Sequence, residues 1–462
     1  MNNGQVSSSF RDPSGFLFFA EDGNLYRQIN VAYQQNYEIL MSSGLYDELV
    51  VSEFLVAHKE AELSLKRDER AYRIIRPDVV PFISYPYEWC FSQLKDAALV
   101  TLNIQKMALM HGMSLKDASN YNVQFMRGRP LFIDTLSFES YREGEPWVAY
   151  RQFCEHFLAP LLIMKYIDPR FIQLLRVYID GIPLDIAARM LPFRTRINPR
   201  LLVHIHLHAR SKSHYAGKAI KKRVKKFSKL AMLGFIDSLE GLIKNLTLAS
   251  RETEWADYYS DTNYLAEAHD EKKRLVRQFL DTLGPTNVWD LGANDGTFTR
   301  LASDKKIPTI SFDMDPACVE ESYQKVRRES EESILPLLMD LTNPSPDLGW
   351  DGAERDSFVH RGPCDTLMAL ALIHHLAISN NVPLTKIASS FRRICHSLII
   401  EWIPKEDTQV RRLLTTRTDI FGDYSKESFE RSFKHYFDII ERSEIRGSDR
   451  VIYLMKGREK NG

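Results

Sequence analysis

The chain is 462 residues long and carries 61 Lys+Arg against 61 Asp+Glu, a formal net charge of zero. Hydrophobic residues make up 44%, charged residues 26% and aromatics 11%, which excludes a disordered, collagen-like or disulfide-stapled chain. Neutrality argues against a general nucleic-acid binder, and five scattered cysteines without a CxxC pair fit a reducing interior. The opening MNNGQVSSSF has neither a basic start nor an apolar run. No apolar stretch approaches the roughly 18 residues of a spanning helix. A cytoplasmic protein of two or three domains is expected, at about 100–200 residues per domain.

Residues 1–200 read as an α+β domain. Segments 16–19 and 26–29 flank Glu21-Asp22-Gly23-Asn24, which predicts a hairpin. A helix is expected over 32–43, strands near 56–57 and 72–75, and a long amphipathic helix over 91–110 that stops at Gly112. Segments 123–125 and 131–133 make a second hairpin around Met126-Arg127-Gly128-Arg129, closing with Asp134.

Residues 201–250 read as a basic helical linker. From Ile186 to Ile236 there is no acidic residue, while thirteen Lys and Arg side chains fall in the same stretch. On a neutral chain this segregation predicts a local positive field. Two uses are open. The stretch is a solvated connector, or it docks an anionic partner such as lipid headgroups, a phosphorylated glycan, nucleic acid or an acidic protein face. On a strand, His204, His206 and His208 would share one face, as a metal site requires. No Cys or carboxylate nearby completes such a site, so no metal is expected.

Residues 251–462 alternate short apolar runs (288–291, 309–313, 337–340, 366–373, 398–402) with helical stretches (298–304, 317–328, 384–396, 426–437). Two last strands, 437–441 and 451–455, are joined by a turn around Gly447-Ser448-Asp449. Strand–helix alternation predicts an α/β, Rossmann-like, mostly parallel sheet. The short-turned terminal pair must be antiparallel. In Asp290-Leu291-Gly292-Ala293-Asn294-Asp295-Gly296, the glycines allow a tight turn and a close backbone approach to a ligand. Asp290 at the strand end would repel a pyrophosphate but attract an ammonium group, which favours a cofactor with an amino-acid moiety over NAD. Asp313 falls at the tip of the second strand, where a carboxylate can accept ribose hydroxyls. Asp340 closes the third.

On these residues, 254–458 resembles a class I S-adenosylmethionine-dependent methyltransferase, with seven strands and a terminal antiparallel hairpin. The resemblance implies that Asp290, Gly292, Asn294 and Gly296 line the methionine portion of S-adenosyl-L-methionine, Asp313 its ribose and Asp340 its adenine. Asn294 replaces a frequent glycine of that motif. Upstream aromatics, Trp255, Tyr258 and Tyr264, match segments that cover the cofactor and acceptor in similar enzymes. His374 and His375 end the fourth strand beside the expected acceptor, where one could act as general base, or His375 could simply pack there. Glu401 and Trp402 end the fifth strand and could face substrate, or Glu401 could fix a loop. The family's Asn-Pro-Pro-Tyr motif for amino-nitrogen acceptors is absent at the end of the fourth strand, which argues against nucleobase or amide methylation; oxygen of a small molecule, glycan or lipid-linked sugar is the expected methyl acceptor.

The first domain resembles a degenerate protein kinase. There Asp117 would be the base, and Asn122 and Asp134 would hold nucleotide-bound magnesium. Leu115-Lys116 replaces the usual His-Arg, Asp134-Thr135-Leu136 replaces Asp-Phe-Gly, and Arg27 stands where a strand lysine belongs. The two-part layout is also similar to nodulation-associated methyltransferase-like proteins. The leading expectation is a cytoplasmic methyltransferase that could sit peripherally at a membrane through its basic segment. The alternative is a regulatory or scaffolding protein with a nucleotide-binding kinase-like half and a non-catalytic cofactor pocket.

Overall fold

A computed structural model describes residues 6, 9–208, 228–248, 266–415 and 418–459. The chain forms two units, Met1–Ala249 with Asp347–Arg355, and Ser250–Pro346 with Asp356–Gly462. Among the described residues no helix is long and apolar enough to cross a membrane.

In the first unit, β1 (Gly15–Phe19), β2 (Leu25–Asn30), β3 (His58–Ala61) and β4 (Ala71–Pro77) form an antiparallel sheet in the order β1-β2-β4-β3. Alternation along the strands sends neighbouring side chains to opposite faces. Ile74 therefore joins Phe16, Phe18 and Tyr26, while Ile75 joins Ile29, Tyr33, Tyr37 and Leu136. The strand expected at 56–57 lies just beyond, at His58–Ala61. Leu55 and Val56 are instead buried in a connector that bonds to Phe132. The helix Phe91–Met110 ends where the sequence predicts, and Gly112, at φ +76, turns the chain into β5 (Met113–Leu115). A hairpin of β6 (Val123–Met126) and β7 (Arg129–Phe132) follows, then β8 (Phe138–Ser140), which pairs with β5.

The expected linker at 201–250 is not one. Its described residues belong to the first unit. Helix Lys229–Lys244 buries Met232, Ile236, Leu239, Leu242 and Ile243, a stripe at helical spacing. It packs along Phe91–Met110, where Lys106 reaches Glu240 at 3.0 Å. A connector could not hide such a stripe. Nor do the three histidines share a strand face, because Leu202–Leu207 is a π-helical turn. His204 bonds Tyr150 at 2.7 Å and His206 bonds Thr195 at 3.0 Å, both buried. The lysine-rich run 209–227 lies outside the described residues.

The second unit is built on β9 (Val288–Leu291), β10 (Thr309–Asp313), β11 (Ile334–Leu338), β12 (Cys364–Ala369), β13 (Cys395–Trp402), β14 (Phe437–Glu444) and β15 (Val451–Gly457). Their order is β11-β10-β9-β12-β13-β15-β14. Pairs are parallel from β11 to β13, and β15 runs antiparallel to both its neighbours. The chain steps outward from β9 to β11, then returns to the other side of β9 for β12. That reversal opens a crevice at the carboxyl ends of β9 and β12. Helix Ala266–Leu283 packs on the sheet core through Ala268, Leu275, Val276, Phe279 and Leu280. Two strands stop earlier than the sequence suggests. β11 ends at Leu338, leaving Asp340 in the following turn, and β12 ends at Ala369, just before Ala371 takes φ +51.

Candidate functional site

A cavity of about 380 Å³ opens at those carboxyl ends, a size suited to a drug-sized or cofactor-sized ligand. Asp290, Gly292, Asn294, Asp313 and Asp340 all line it. Asp290 is buried and accepts a hydrogen bond from Thr299 Oγ1 at 2.6 Å. Burial pushes its carboxyl up to about 7, against the Thr299 bond and the pull of Lys272. Burial likewise lifts Asp313 to about 6, although it accepts backbone N–H bonds from Asp315 at 2.9 Å and Asn294 at 2.8 Å. Both carboxylates are therefore poised to gain from a ligand that brings positive charge or donors. Asp340 is half-buried and ties its own turn through Thr342, whose N–H and Oγ1 donate at 2.8 and 2.7 Å.

Gly292 sits at φ +70, and a Cβ there would meet Leu372 Cδ1 at 3.2 Å. Asn294 also has positive φ, +52, a conformation Asn tolerates better than most residues. Its backbone N–H is the donor to Asp313, so the replacement of glycine leaves the turn intact. Gly296 does not line the cavity. Its φ of +79 serves packing instead, since a Cβ would press on Arg300 at 2.7 Å and Ser322 at 3.0 Å.

The other residues expected here separate. His375 lines the cavity, with burial holding its imidazole down at about 4. His374 does not line it. It is fully buried, neither ring nitrogen has a hydrogen-bond partner, and burial drives its pKa well below the usual histidine range. It cannot reach an acceptor in the cavity. Glu401 is buried too and absent from the lining. Its Oε2 accepts Lys272 Nζ at 2.6 Å and the Ala371 N–H at 2.7 Å, and Oε1 accepts Arg450 at 3.3 Å. Burial alone would raise this carboxyl, but Lys272 and Arg450 outweigh it and hold it at about 2. The same carboxylate ties the loop after β12 by accepting the Ala371 N–H. Trp402 faces the core, against Tyr424 at 4.5 Å and Phe429 at 5.1 Å between ring centroids. Trp255, Tyr258 and Tyr264 lie outside the described residues.

No protein-family model matches the chain. The nodulation protein NoeA of Rhizobium meliloti (strain 1021) is 34% identical over 464 residues, spanning 99% of this chain and 97% of that protein. The chain belongs to the NoeA family. Among solved structures it is similar to N-methyltransferase NodS from Bradyrhizobium japonicum WM9 in complex with S-adenosyl-L-homocysteine. That match has 13% identity and a TM-score of 0.32 over 45% of this chain and 94% of that one. Magnesium protoporphyrin IX methyltransferase (ChlM) from Synechocystis PCC 6803 with bound SAH matches at 16% identity and a TM-score of 0.31, over 44% and 93%. The bifunctional kinase-methyltransferase WbdD matches at 13% identity and a TM-score of 0.30, over 47% and 46%.

In this NoeA-family chain the first unit's candidate residues are bonded to neighbours within that unit. Asp134 pairs with Arg27 and accepts the Ser137 hydroxyl. Burial would raise it, yet Arg27 and Ser137 bring it below the ordinary aspartate value. Asn122 donates to the same Ser137 hydroxyl at 3.2 Å. Asp117, raised by burial, accepts from the Ser119 N–H at 2.9 Å and Gln152 at 2.8 Å.

Lys272 and Arg450, both buried and both in the cavity wall, were not singled out from the sequence. Lys272 carried a readable signal. It stands four residues after Ala268 and seven before Phe279, on the apolar stripe of its helix, where a lysine must find a partner. Arg450, in a turn before β15, carried none.

Proposed function

We propose that the second unit is an S-adenosylmethionine-dependent methyltransferase that methylates oxygen of a small molecule, glycan or lipid-linked acceptor. The observation that carries this reading is the convergence of Asp290, Asp313 and Asp340, from three successive β–loop junctions, on one cavity. The residues fit the cofactor. Asp290 would take the ammonium of its amino-acid part, Asp313 the ribose hydroxyls and Asp340 the adenine edge, while the missing side chain of Gly292 leaves room beside Leu372. When bound, S-adenosylmethionine supplies the methyl group as a sulfonium.

Methyl transfer by in-line displacement asks the protein mainly to align the acceptor and exclude competing water. His375, neutral at physiological pH because burial holds it near 4, can accept a hydrogen bond from an acceptor hydroxyl and orient its lone pair. It is too weak a base to strip that hydroxyl beforehand. Glu401 keeps the loop carrying His375 in place through the Ala371 N–H, and its two cations are held in turn by that carboxylate.

The N-methyltransferase among the similar structures makes nitrogen the rival acceptor. Incubation with S-adenosylmethionine carrying a tritiated methyl, and with hydroxyl-bearing or amino-bearing oligosaccharides, tests the reading. Label on oxygen, located by fragment mass spectrometry, is the expected result. Label only on nitrogen would overturn oxygen as the acceptor atom, and no transfer alongside no cofactor binding would overturn the whole proposal.

A further inference from the structure

We propose that the face of the first unit formed by Phe193, Ile197, Val203 and Leu207 with Arg194, Arg196 and Arg200 docks the protein on an anionic lipid surface. Three short helical turns, Phe193–Arg196, Pro199–Leu201 and Leu202–Leu207, follow one another in the chain and pack together. Their inward residues, Thr195, Leu201, His204, Ile205 and His206, are buried. Among the exposed residues, beside Arg194, Arg196 and Arg200, are large apolar ones. Phe193 is 71% exposed, Ile197 72% and Val203 50%, with Leu207 a turn further along at 46%. Single exposed apolar residues are ordinary, but four on consecutive turns are a patch.

Three arginines stand in this patch. Arg194, Arg196 and Arg200 have no carboxylate partner among the described residues. Arg194 lies over the Tyr166 ring at 5.2 Å and Arg196 over Phe193 at 5.7 Å. Lys95 and Lys165 stand close by and spend their ammonium groups on backbone carbonyls, of Lys244 and Leu246 for Lys95 and of Thr247 for Lys165. Burial lowers the Lys165 pKa, and the repulsion of Lys95 and Arg194 lowers it further. Such crowding is relieved by an anion that sits across several cations at once.

The two features together select the partner. A nucleic-acid backbone would meet the arginines but leave Phe193 and Ile197 in water. A lipid interface accepts phosphate contacts at headgroup level and apolar side chains just beneath. Arginine stems also bury along such a boundary while their charge stays at the headgroups.

The test is co-sedimentation of the full chain with vesicles of phosphatidylcholine, with and without phosphatidylglycerol, at low and physiological salt. Wild type should partition onto the anionic vesicles and weaken with salt. Replacing Arg194, Arg196 and Arg200 by Gln should reduce that partition at least about tenfold, since each basic residue contributes roughly 1 kcal/mol near an anionic surface. Phe193→Ser with Ile197→Ser should weaken binding at both salt concentrations. A Phe193→Trp variant should show a blue-shifted emission with anionic vesicles alone, a signal that a misfolded variant would not give. Equal partition onto neutral and anionic vesicles would overturn the proposal. So would wild-type behaviour of the Gln variant with loss only on neutralising Lys221, Lys222, Arg223, Lys225 and Lys226, or retention by duplex DNA without retention by lipid.

Discussion

Two clusters of acidic residues in this molecule look alike in sequence and differ in physics. In the second unit, Asp290, buried, and Asp313, half-buried, stand in a cavity wall and are pushed up to about 7 and about 6. In the first unit, Asp134 is half-buried like Asp313 yet falls below its ordinary value, because the Arg27 charge and the Ser137 hydroxyl stabilise its ionised form from within the chain. A buried carboxylate is costly; Asp290 feels Lys272, but that ammonium is bonded to Glu401 and leaves the carboxyl raised, so a ligand cation would still stabilise it. A carboxylate already matched by its own chain has nothing left to gain. The contrast lies between Asp134 and the cavity pair, since Asp117 in the first unit is raised by burial as they are, while bonded to the Ser119 N–H and Gln152.

The largest effect expected from breaking this contrast is at Glu401. Glu401→Gln removes the one carboxylate shared by the buried Lys272 and Arg450. Removing one partner of a buried ion pair typically costs about 3–5 kcal/mol, to be read from the urea midpoint. A loss under 1 kcal/mol, on the order of a surface ion pair, would mean that the network does not anchor the loop after β12.

A second test uses pH. Binding of a ligand ammonium favours ionised Asp290, so the protonated fraction must be lost on binding. Affinity for S-adenosylhomocysteine should rise with pH, by up to about tenfold per unit for each group below its pKa. It should level off once pH passes about 7, the value for Asp290. Asp290→Asn should lose the part of the rise nearest pH 7 and keep the part due to Asp313, near 6. An affinity flat from pH 5 to pH 8 would contradict the raised carboxyls. The smallest effect is expected in the first unit, where ATP with magnesium should leave the melting temperature unchanged. A shift abolished by Asp134→Asn would show that the Arg27 pair opens to a nucleotide.

Much of the second unit was legible from the sequence, because apolar runs and acidic strand ends repeat in register with the βα period. Val288–Leu291 and Thr309–Asp313 have the bounds their hydrophobicity implies. Strand ends were less legible: backbone conformation, not hydrophobicity, ends β12 ahead of Ala371 at φ +51. Of the site, the cavity-lining aspartates were readable by position. The roles of His374, Glu401 and Trp402 were not, since a strand-end pattern does not tell which side chains turn inward to the core. The basic stretch misled in another way. Its charge suggested a basic helical linker, solvated or docked on an anion, while Met232, Ile236, Leu239 and Ile243 at helical spacing already marked a packed helix.

We propose that the cavity at the ends of β9, β10 and β11 binds S-adenosylmethionine through Asp290. Isothermal titration of the intact chain with S-adenosylhomocysteine, beside the Asp290→Ala variant, tests it most directly. Wild type should bind, and the variant should bind about one to two decades more weakly, the loss of a charge-assisted contact of about 1.5–3 kcal/mol. No heat of binding by wild type at ligand concentrations of hundreds of micromolar (an order-of-magnitude ceiling of about 5 kcal/mol), or equal affinity in the two proteins, would contradict the account.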